Sequence, residues 1–329
     1  MRKKISVIGG SGFVGTNLCR QFLMQQQDFE IIDIKMSKQF PEKCKIADVR
    51  DINSLREAIT GDVVINLAAV HRDDIRDKAE YKRTNVDGAY NLALICEEKG
   101  IKKFIFTSTV AVYGFAKPDT DETGLINPFN EYGKTKYEAE QILLKWQEKN
   151  SSSLLIIRPT VIFGEGNRGN VFNLLRQIAS GKFIMVGNGK NKKSMAYIGN
   201  VVAFIDACVK TDQRFGIYNY VDTPDLTMNE LVSIIRLKIK GKKGVGARLP
   251  YWMGWILGVC ADSIAFLMRK NLSVSSIRIK KFISSTQFQT SKDMLDDFKA
   301  PVTLIEGLNR TLESEFIYPN PKNEVFYTE

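Results

Sequence analysis

Short apolar runs alternate with stretches of helical periodicity along the first half of the chain. Residues 4–8 are apolar and end in Gly9-Gly10-Ser11-Gly12. Residues 13–26 follow with Phe13, Leu18, Phe22 and Leu23 at helical spacing. Further short apolar runs cover 29–34, 63–67, 103–107 and 154–157, and helical patterns cover 81–98 and 132–149. Continuous apolar runs of this length suit strands buried on both faces. Their alternation with helices predicts an α/β fold built on a doubly wound parallel sheet with right-handed crossovers. After Pro159 the pattern loosens. Residues 164–170 and 187–193 are rich in Gly and Asn, and the chain from 227 onward reads as mostly helical and basic.

Gly9, Gly12 and Gly15 join the first strand to the first helix. Glycines in that place permit a tight turn and a close backbone approach to a pyrophosphate. The helix N-terminus, at Phe13 and Val14, adds amides and a favourable dipole. The pattern sits in the strand–turn–helix context it requires, so a Rossmann dinucleotide site is the expectation. Asp33 ends the second strand. A carboxylate there binds both ribose hydroxyls and repels a 2′-phosphate, which favours NAD over NADP. Asp48 and Val49 close the next strand and can reach the adenine edge. We expect an NAD-binding domain over residues 1–165, rejoined by 195–222. A smaller, mostly helical C-terminal substrate-binding part takes 166–194 and 223–329.

Tyr132 and Lys136 lie four apart on one predicted helix and share a face. A phenol with a pKa of about 10 is a poor base at neutral pH. A neighbouring ammonium and a cationic nicotinamide ring both favour its ionised form. Thr109 follows the strand expected beside this helix, where a hydroxyl can orient the reacting oxygen; Ser108 is the adjacent candidate.

Composition narrows the classes. The single histidine, His71, excludes a His-rich metal site and leaves a Ser-His-Asp triad only one imidazole to use. No metal is expected. Five cysteines without a C-x-x-C suit a reducing, cytoplasmic setting, and no signal segment is visible. The net charge of +10 is local: residues 236–281 hold eleven Lys/Arg and one acid, Asp262, so the rest of the chain balances. A diffuse nucleic-acid-binding surface is therefore not expected.

The motifs resemble those of the extended short-chain dehydrogenase/reductase family of sugar epimerases and dehydratases. Asn66-Leu67-Ala68-Ala69, Asn85-Val86-Asp87-Gly88, Ser108-Thr109-Val110-Ala111-Val112-Tyr113-Gly114, Tyr132-Gly133-Lys134-Thr135-Lys136 and Arg158-Pro159 occur in the family's order. The resemblance implies that Leu67, Ala68 and Ala69 line the cofactor, that Tyr132 and Lys136 touch it, and that the protein is a homodimer through two long helices. Departures narrow it. Dehydratases carry Asp-Glu after the catalytic Thr, where this chain has Val110 and Ala111, so elimination lacks its acid and base. The Asn and Arg with which UDP-hexose epimerases hold the diphosphate fall at Val161 and Met195. Arg168, Lys192 and Lys193 either take phosphate instead or stand as solvated loop charges.

Residues 69–74, 166–171 and 193–197 are most similar to bacterial 4-epimerases of N-acetylglucosaminyl-diphospho-undecaprenol, which serve O-antigen biosynthesis. That resemblance implies a lipid-linked sugar substrate and places His71, Arg168 and Asn170 on the substrate side. The rivals are a UDP-sugar epimerase, a 4-keto-sugar reductase and a non-catalytic NAD sensor.

Residues 249–268 carry one charge, Asp262. The length allows a membrane span, but Asp262 at its middle costs about 2.5–3.5 kcal/mol. Trp252, Trp255, Ile256, Val259, Phe266 and Leu267 form a bulky stripe, and Gly254, Gly258, Asp262 and Ala265 a small one. The segment either lies peripherally on an anionic membrane, flanked by Lys242, Lys243, Arg248, Arg269 and Lys270, or packs as a core helix.

Overall fold

The structure, a computed structural model, describes residues 3–72, 75–268, 282–290, 295, 298–321 and 323–327. Seven strands form the central sheet: β1 (Ile5–Ile8), β2 (Phe29–Asp33), β3 (Cys44–Ile46), β4 (Val63–Asn66), β5 (Lys103–Thr107), β6 (Ser153–Pro159) and β7 (Phe215–Tyr220). Their order is β7-β6-β5-β4-β1-β2-β3, and every neighbouring pair is parallel. All side chains of β1 and β4 are buried, as unbroken apolar runs require. Strand order reverses between β1 and β4, which opens a crevice at their carboxyl ends.

Helices cover both faces. α1 (Phe13–Met24), α2 (Ile52–Ala58), α3 (Gly88–Glu98) and α4 (Glu131–Asn150) belong to the first half. α5 (Asn170–Ser180), α6 (Ile198–Lys210), α7 (Met228–Lys240), α8 (Tyr251–Met268) and α9 (Leu304–Leu312) belong to the second. Successive strand residues point to opposite faces. Ile8, Ile32, Val64, Phe104 and Ile156 pack with Leu55, Leu92, Ile95 and Leu143 of α2, α3 and α4. Val7, Ile31, Ile65, Ile105 and Leu155 pack with Leu18 and Phe22 of α1 and Phe204 of α6. That second cluster runs on into Leu175, Leu231 and Leu308, so α5, α7 and α9 share the core of the sheet.

The helical pattern over 81–98 holds one departure. Lys82–Asp87 winds as a wider π turn before α3 begins. The turn presents the buried Asn85 side chain to three partners. Its Oδ1 accepts from Val70 N at 2.9 Å, and its Nδ2 donates to Val70 O and Thr135 Oγ1 at 3.0 Å. The loop after β4 is thereby fastened to α4. Single π turns recur at functional sites, and one such turn is too short to show as a period of its own in the sequence.

α8 is two-faced in the expected sense, with a definite orientation. Gly254 and Gly258 are buried, and a Cβ on Gly254 would press on Val186. Trp252 is 63% exposed and Trp255 39%, and Ile256, Leu257 and Val259 are exposed with them. Among the described side chains of this helix, Gly254 and Gly258 face the body of the protein, and Trp252, Trp255, Ile256, Leu257 and Val259 face outward. Among the described residues no helix is long and apolar enough to cross a membrane. Arg269, Lys270 and the end of the basic zone at Lys281 lie outside the described residues.

Candidate active site

The glycine turn follows β1 directly. Gly9 has φ +76°, and an added Cβ would stand 2.7 Å from the Ala68 amide nitrogen. The loops after β1 and β4 therefore approach backbone to backbone. Gly12 caps α1 without any side-chain hydrogen bond, which leaves first-turn amides for an anionic ligand. Phe13 is buried and packs at a tilt against Phe326 with centroids 5.7 Å apart, so it is the amides of Phe13 and Val14 that this turn offers. Asp33 stands at the end of β2. Its Oδ2 accepts from Ser11 N at 3.0 Å and its Oδ1 from Lys35 N at 3.1 Å. Burial raises its pKa above the usual carboxylate value, against the pull of those amides. Asp48 is held by Arg50 at 2.6 Å, and Val49 is buried beside Gly88. Leu67, Ala68 and Ala69 border the crevice from the β4 side. A glycine cradle, uncapped amides and a half-buried strand-end carboxylate fit NAD.

This geometry gives a direct expectation. The protein should bind NAD more tightly than NADP, and Asp33→Ala should narrow the gap. Competitive titration with both cofactors checks it; equal affinities for the parent protein would refute the carboxylate argument.

Across the crevice, Asn130 caps α4 by accepting from Gly133 N at 2.9 Å, which fixes Tyr132 in the first turn. Tyr132 is half-buried and hydrogen-bonds the Thr109 side chain. Thr109 also accepts from Ala111 N at 3.1 Å and caps the 3-10 turn Val110–Tyr113. Lys136 is 1% exposed, with its ammonium 4.1 Å from the centroid of the Phe106 ring. Ser108 faces the other way: its hydroxyl donates to Glu140, a fully buried carboxylate one turn beyond Lys136. Successive residues at a strand end point to opposite sides, so the two neighbouring hydroxyls serve different groups.

Burial pushes the Tyr132 phenol up to about 12, opposed by the Thr109 hydrogen bond. Burial also pulls Lys136 down to about 7, opposed by the charge of Glu140. Without cofactor the proton therefore stays on the tyrosine at neutral pH. Positive charge has to be added nearby before the phenol can act as a base.

His71 joins this group. It is exposed on the loop after β4, and its ring lies edge-on to that of Tyr132 with centroids 6.3 Å apart. Arg168 and Asn170 lie where α5 begins. Arg168 pairs with Glu315 at 2.8 Å and lies over the Phe172 ring at 4.1 Å, while Asn170 is exposed at the start of α5. Val161 and Met195 are register partners of a two-stranded parallel sheet. Val161 is 40% exposed, but Met195 is 2% exposed and packed in the core, so position 195 does not face a ligand. The half-buried cation nearby is Lys193, on a separate short strand, Lys192–Lys193, that pairs with Leu226 and Thr227. Its Nζ donates to Ser284 O at 2.6 Å, and burial lowers it to about 8.

Sequence reasoning missed a cavity of about 190 Å³ lined by Gly114, Phe115, Ala116, Ser284, Thr286 and Phe288. It begins where the 3-10 turn carrying Thr109 ends. Its far wall comes from a segment 170 residues further on, without a motif, which no local pattern could have joined to it. Among the described residues no group of His, Cys, Asp or Glu could hold a metal.

Residues 5–220 match the NAD dependent epimerase/dehydratase family. The chain belongs to that family. It is 46% identical, over the whole of both chains, to the N-acetyl-alpha-D-glucosaminyl-diphospho-ditrans,octacis-undecaprenol 4-epimerase of Escherichia coli O157:H7. It is 27% identical to a UDP-glucose 4-epimerase of Vibrio cholerae, over 95% of this chain and 96% of that one. The crystal structure of the Bordetella bronchiseptica enzyme WbmG in complex with NAD and UDP has the same fold. There the TM-score is 0.76 at 17% identity, covering 100% of this chain and 98% of that one. The protein is thus an NAD-dependent epimerase of the short-chain dehydrogenase/reductase type, acting on sugars.

Proposed function

We propose that this enzyme is a 4-epimerase that interconverts N-acetylglucosamine and N-acetylgalactosamine on an undecaprenyl-diphosphate carrier, in polysaccharide or O-antigen biosynthesis. The observation that carries the reading is the 46% identity over the full length of the E. coli relative. The Tyr132, Thr109 and Lys136 group supports the chemistry. Bound NAD supplies a hydride acceptor and donor at sugar C4. Thr109 orients the reacting hydroxyl, and Tyr132 takes and later returns its proton. Lys136, when charged, favours the phenolate and holds the ribose of the cofactor. The 4-keto sugar turns over within the pocket between the two transfers, so no outside reductant is consumed. His71, whose ring lies beside that of Tyr132, would then meet the sugar.

The carrier is supported by α8. Its outward stripe of Trp252, Trp255, Ile256, Leu257 and Val259 is apolar, and Lys242, Lys243 and Arg248 are exposed on the segment that leads into it. That combination suits peripheral contact with an anionic membrane. Homodimerisation through α3 and α4, which pack side by side, belongs to the same reading. Sedimentation of the purified protein tests it.

The deciding experiment incubates the purified protein, without added cofactor, with N-acetylglucosaminyl-diphospho-undecaprenol and with UDP-N-acetylglucosamine. Sugar analysis and mass spectrometry read the products. Epimerisation of the lipid-linked sugar is the expected result; efficient turnover of the UDP-sugar alone would overturn the carrier assignment. In parallel, the protein should float with anionic liposomes. A fully buried large apolar side chain contributes about 1.5–3 kcal/mol. Trp252→Ala combined with Trp255→Ala should therefore weaken flotation about tenfold or more and leave NAD binding intact. Unchanged flotation would remove α8 from the membrane contact.

A further inference from the structure

Beneath the catalytic helix lies a buried polar network that the reaction as described does not use. Arg158 on β6 grips Glu140 with two hydrogen bonds, Nε to Oε1 at 3.0 Å and Nη2 to Oε2 at 2.6 Å. Ser108 donates to the same Oε1. The remaining nitrogen, Nη1, donates to the Tyr113 hydroxyl at 2.6 Å, and Tyr113 donates to Asn219 Oδ1 at 2.9 Å. Glu140, Ser108, Arg158, Tyr113 and Asn219 are all buried, and they join α4 to β5, the 3-10 turn, β6 and β7. So much buried polarity is costly unless every member is satisfied, and it could be replaced by apolar packing if its role were the fold alone.

Its position supplies another role. Tyr132, Lys136 and Glu140 follow one another at steps of four along α4, one face of one helix. Lys136 has the Phe106 ring on one side and the Glu140 carboxylate one turn away. We propose that Glu140 is a positioning residue that holds Lys136 in its ammonium state, with its own negative charge tuned by Arg158 and Ser108. The inference rests on the reading of Tyr132 and Lys136 as the catalytic pair. Burial alone pulls Lys136 toward the neutral amine, and Glu140 is the group that opposes it. The other ionisable groups on the elements packed here are few. Tyr132 is on the same helix, Arg158 on β6 is bound to Glu140, and Tyr113 on the 3-10 turn is bound to Arg158. Glu122 reaches the β7 backbone at Asn219, and His71 faces the Tyr132 ring. Phe106 of β5 lies against Lys136, the neutral Ser108 follows that strand, and Lys103 at the strand's other end donates to Val209 O and Thr211 O.

Two variants of opposite charge separate this role from a structural one. Glu140→Gln removes a negative charge and leaves Arg158 uncompensated, which favours the deprotonated forms of both Lys136 and Tyr132. Its pH profile of kcat should move to lower pH by about 1 unit. Arg158→Met removes the positive charge and leaves Lys136 as the principal cation facing Glu140. Its profile should move to higher pH by a similar amount, about 1 unit. NAD titrations across neutral pH should move in the same two directions, because the Lys136 ammonium holds the cofactor ribose. Melting curves check the fold. Ser108→Ala, which removes one hydrogen bond and no charge, should move the profile slightly upward and carries the test if a charge variant does not fold. Loss of activity in both charge variants with unmoved profiles would mean that Glu140 only holds the fold, and would overturn the proposal. Tyr132→Phe is measured alongside. If that variant keeps turning over, the catalytic pair itself is wrongly assigned; if it is inactive while the profiles stay still, the Glu140 inference alone falls.

Discussion

Tyr132→Phe should lower epimerisation by about 10²–10⁴-fold while leaving NAD affinity unchanged. The change removes one oxygen and keeps the ring, so the half-buried packing of Tyr132 beside Thr109 and His71 survives. The lost oxygen accepts a proton from the sugar in one half of the cycle and returns it in the other. Both halves therefore suffer, and the expected loss corresponds to about 3–5 kcal/mol of transition-state stabilisation. NAD binding should survive because the glycine turn, Asp33 and Lys136 are untouched. Steady-state epimerisation and a cofactor titration measure the two quantities separately. A variant retaining most of its turnover would remove Tyr132 from the proton path; one that also loses NAD would show that the substitution reached the cofactor site.

The behaviour of the phenol with pH follows from its surroundings. Desolvation raises Tyr132 to about 12, a position from which it cannot act as a base at neutral pH. The group becomes competent only when positive charge is added beside it, by Lys136 in its ammonium form and by the cationic ring of the bound cofactor. A site built this way keeps the base silent until the cofactor is in place.

Much of this arrangement was legible along the chain, for identifiable reasons. The glycine turn, Asp33 and the Tyr132–Lys136 pair declare themselves because each depends on spacing within one element or across one turn. The outward stripe of α8 was visible as a two-sided wheel, but which side met the body was not. Gly254 pressing on Val186 decides that, and Val186 lies far off in sequence. Thr109 and Ser108 could not be told apart by type, since both are hydroxyls at one strand end. The direction of each side chain separates them, toward Tyr132 and toward Glu140. Met195 was matched to a ligand-holding position by its distance from Tyr197. Every residue of its short strand is buried, which puts Met195 in the core, and Lys193, on the separate short strand just before, is the polar neighbour. The Glu140–Arg158–Tyr113–Asn219 network joins residues from four elements and has no local pattern at all.

Gly15→Ala should damage the cofactor turn severely for a change of one methyl. Gly15 lies in the first turn of α1 with its Cα turned to the loop that precedes it. A Cβ there would overlap the Cα of Gly10 and stand 2.7 Å from that residue's carbonyl oxygen. Both are backbone atoms, so no side chain can rotate away. Either α1 withdraws from β1 or the turn at Gly9 and Gly10 opens. The turn is held by Gly9 N donating to Ile32 O at 2.8 Å and by the close approach of Gly9 to Ala68. Overpacking a fitted contact costs about 1–3 kcal/mol, and either movement shifts the amides that would meet a pyrophosphate. Melting should drop by an amount within that range, and NAD affinity should fall by about 10- to 100-fold. Gly12→Ala supplies the comparison. Its Cβ would meet only the Gly9 carbonyl oxygen, at 3.3 Å, and its backbone is extended, so the fold should tolerate it far better. Differential scanning calorimetry of the three proteins, with NAD titrations, gives the ranking. If Gly15→Ala melts and binds NAD like the parent, the turn is softer than its contacts imply, and the glycine is not there for close packing.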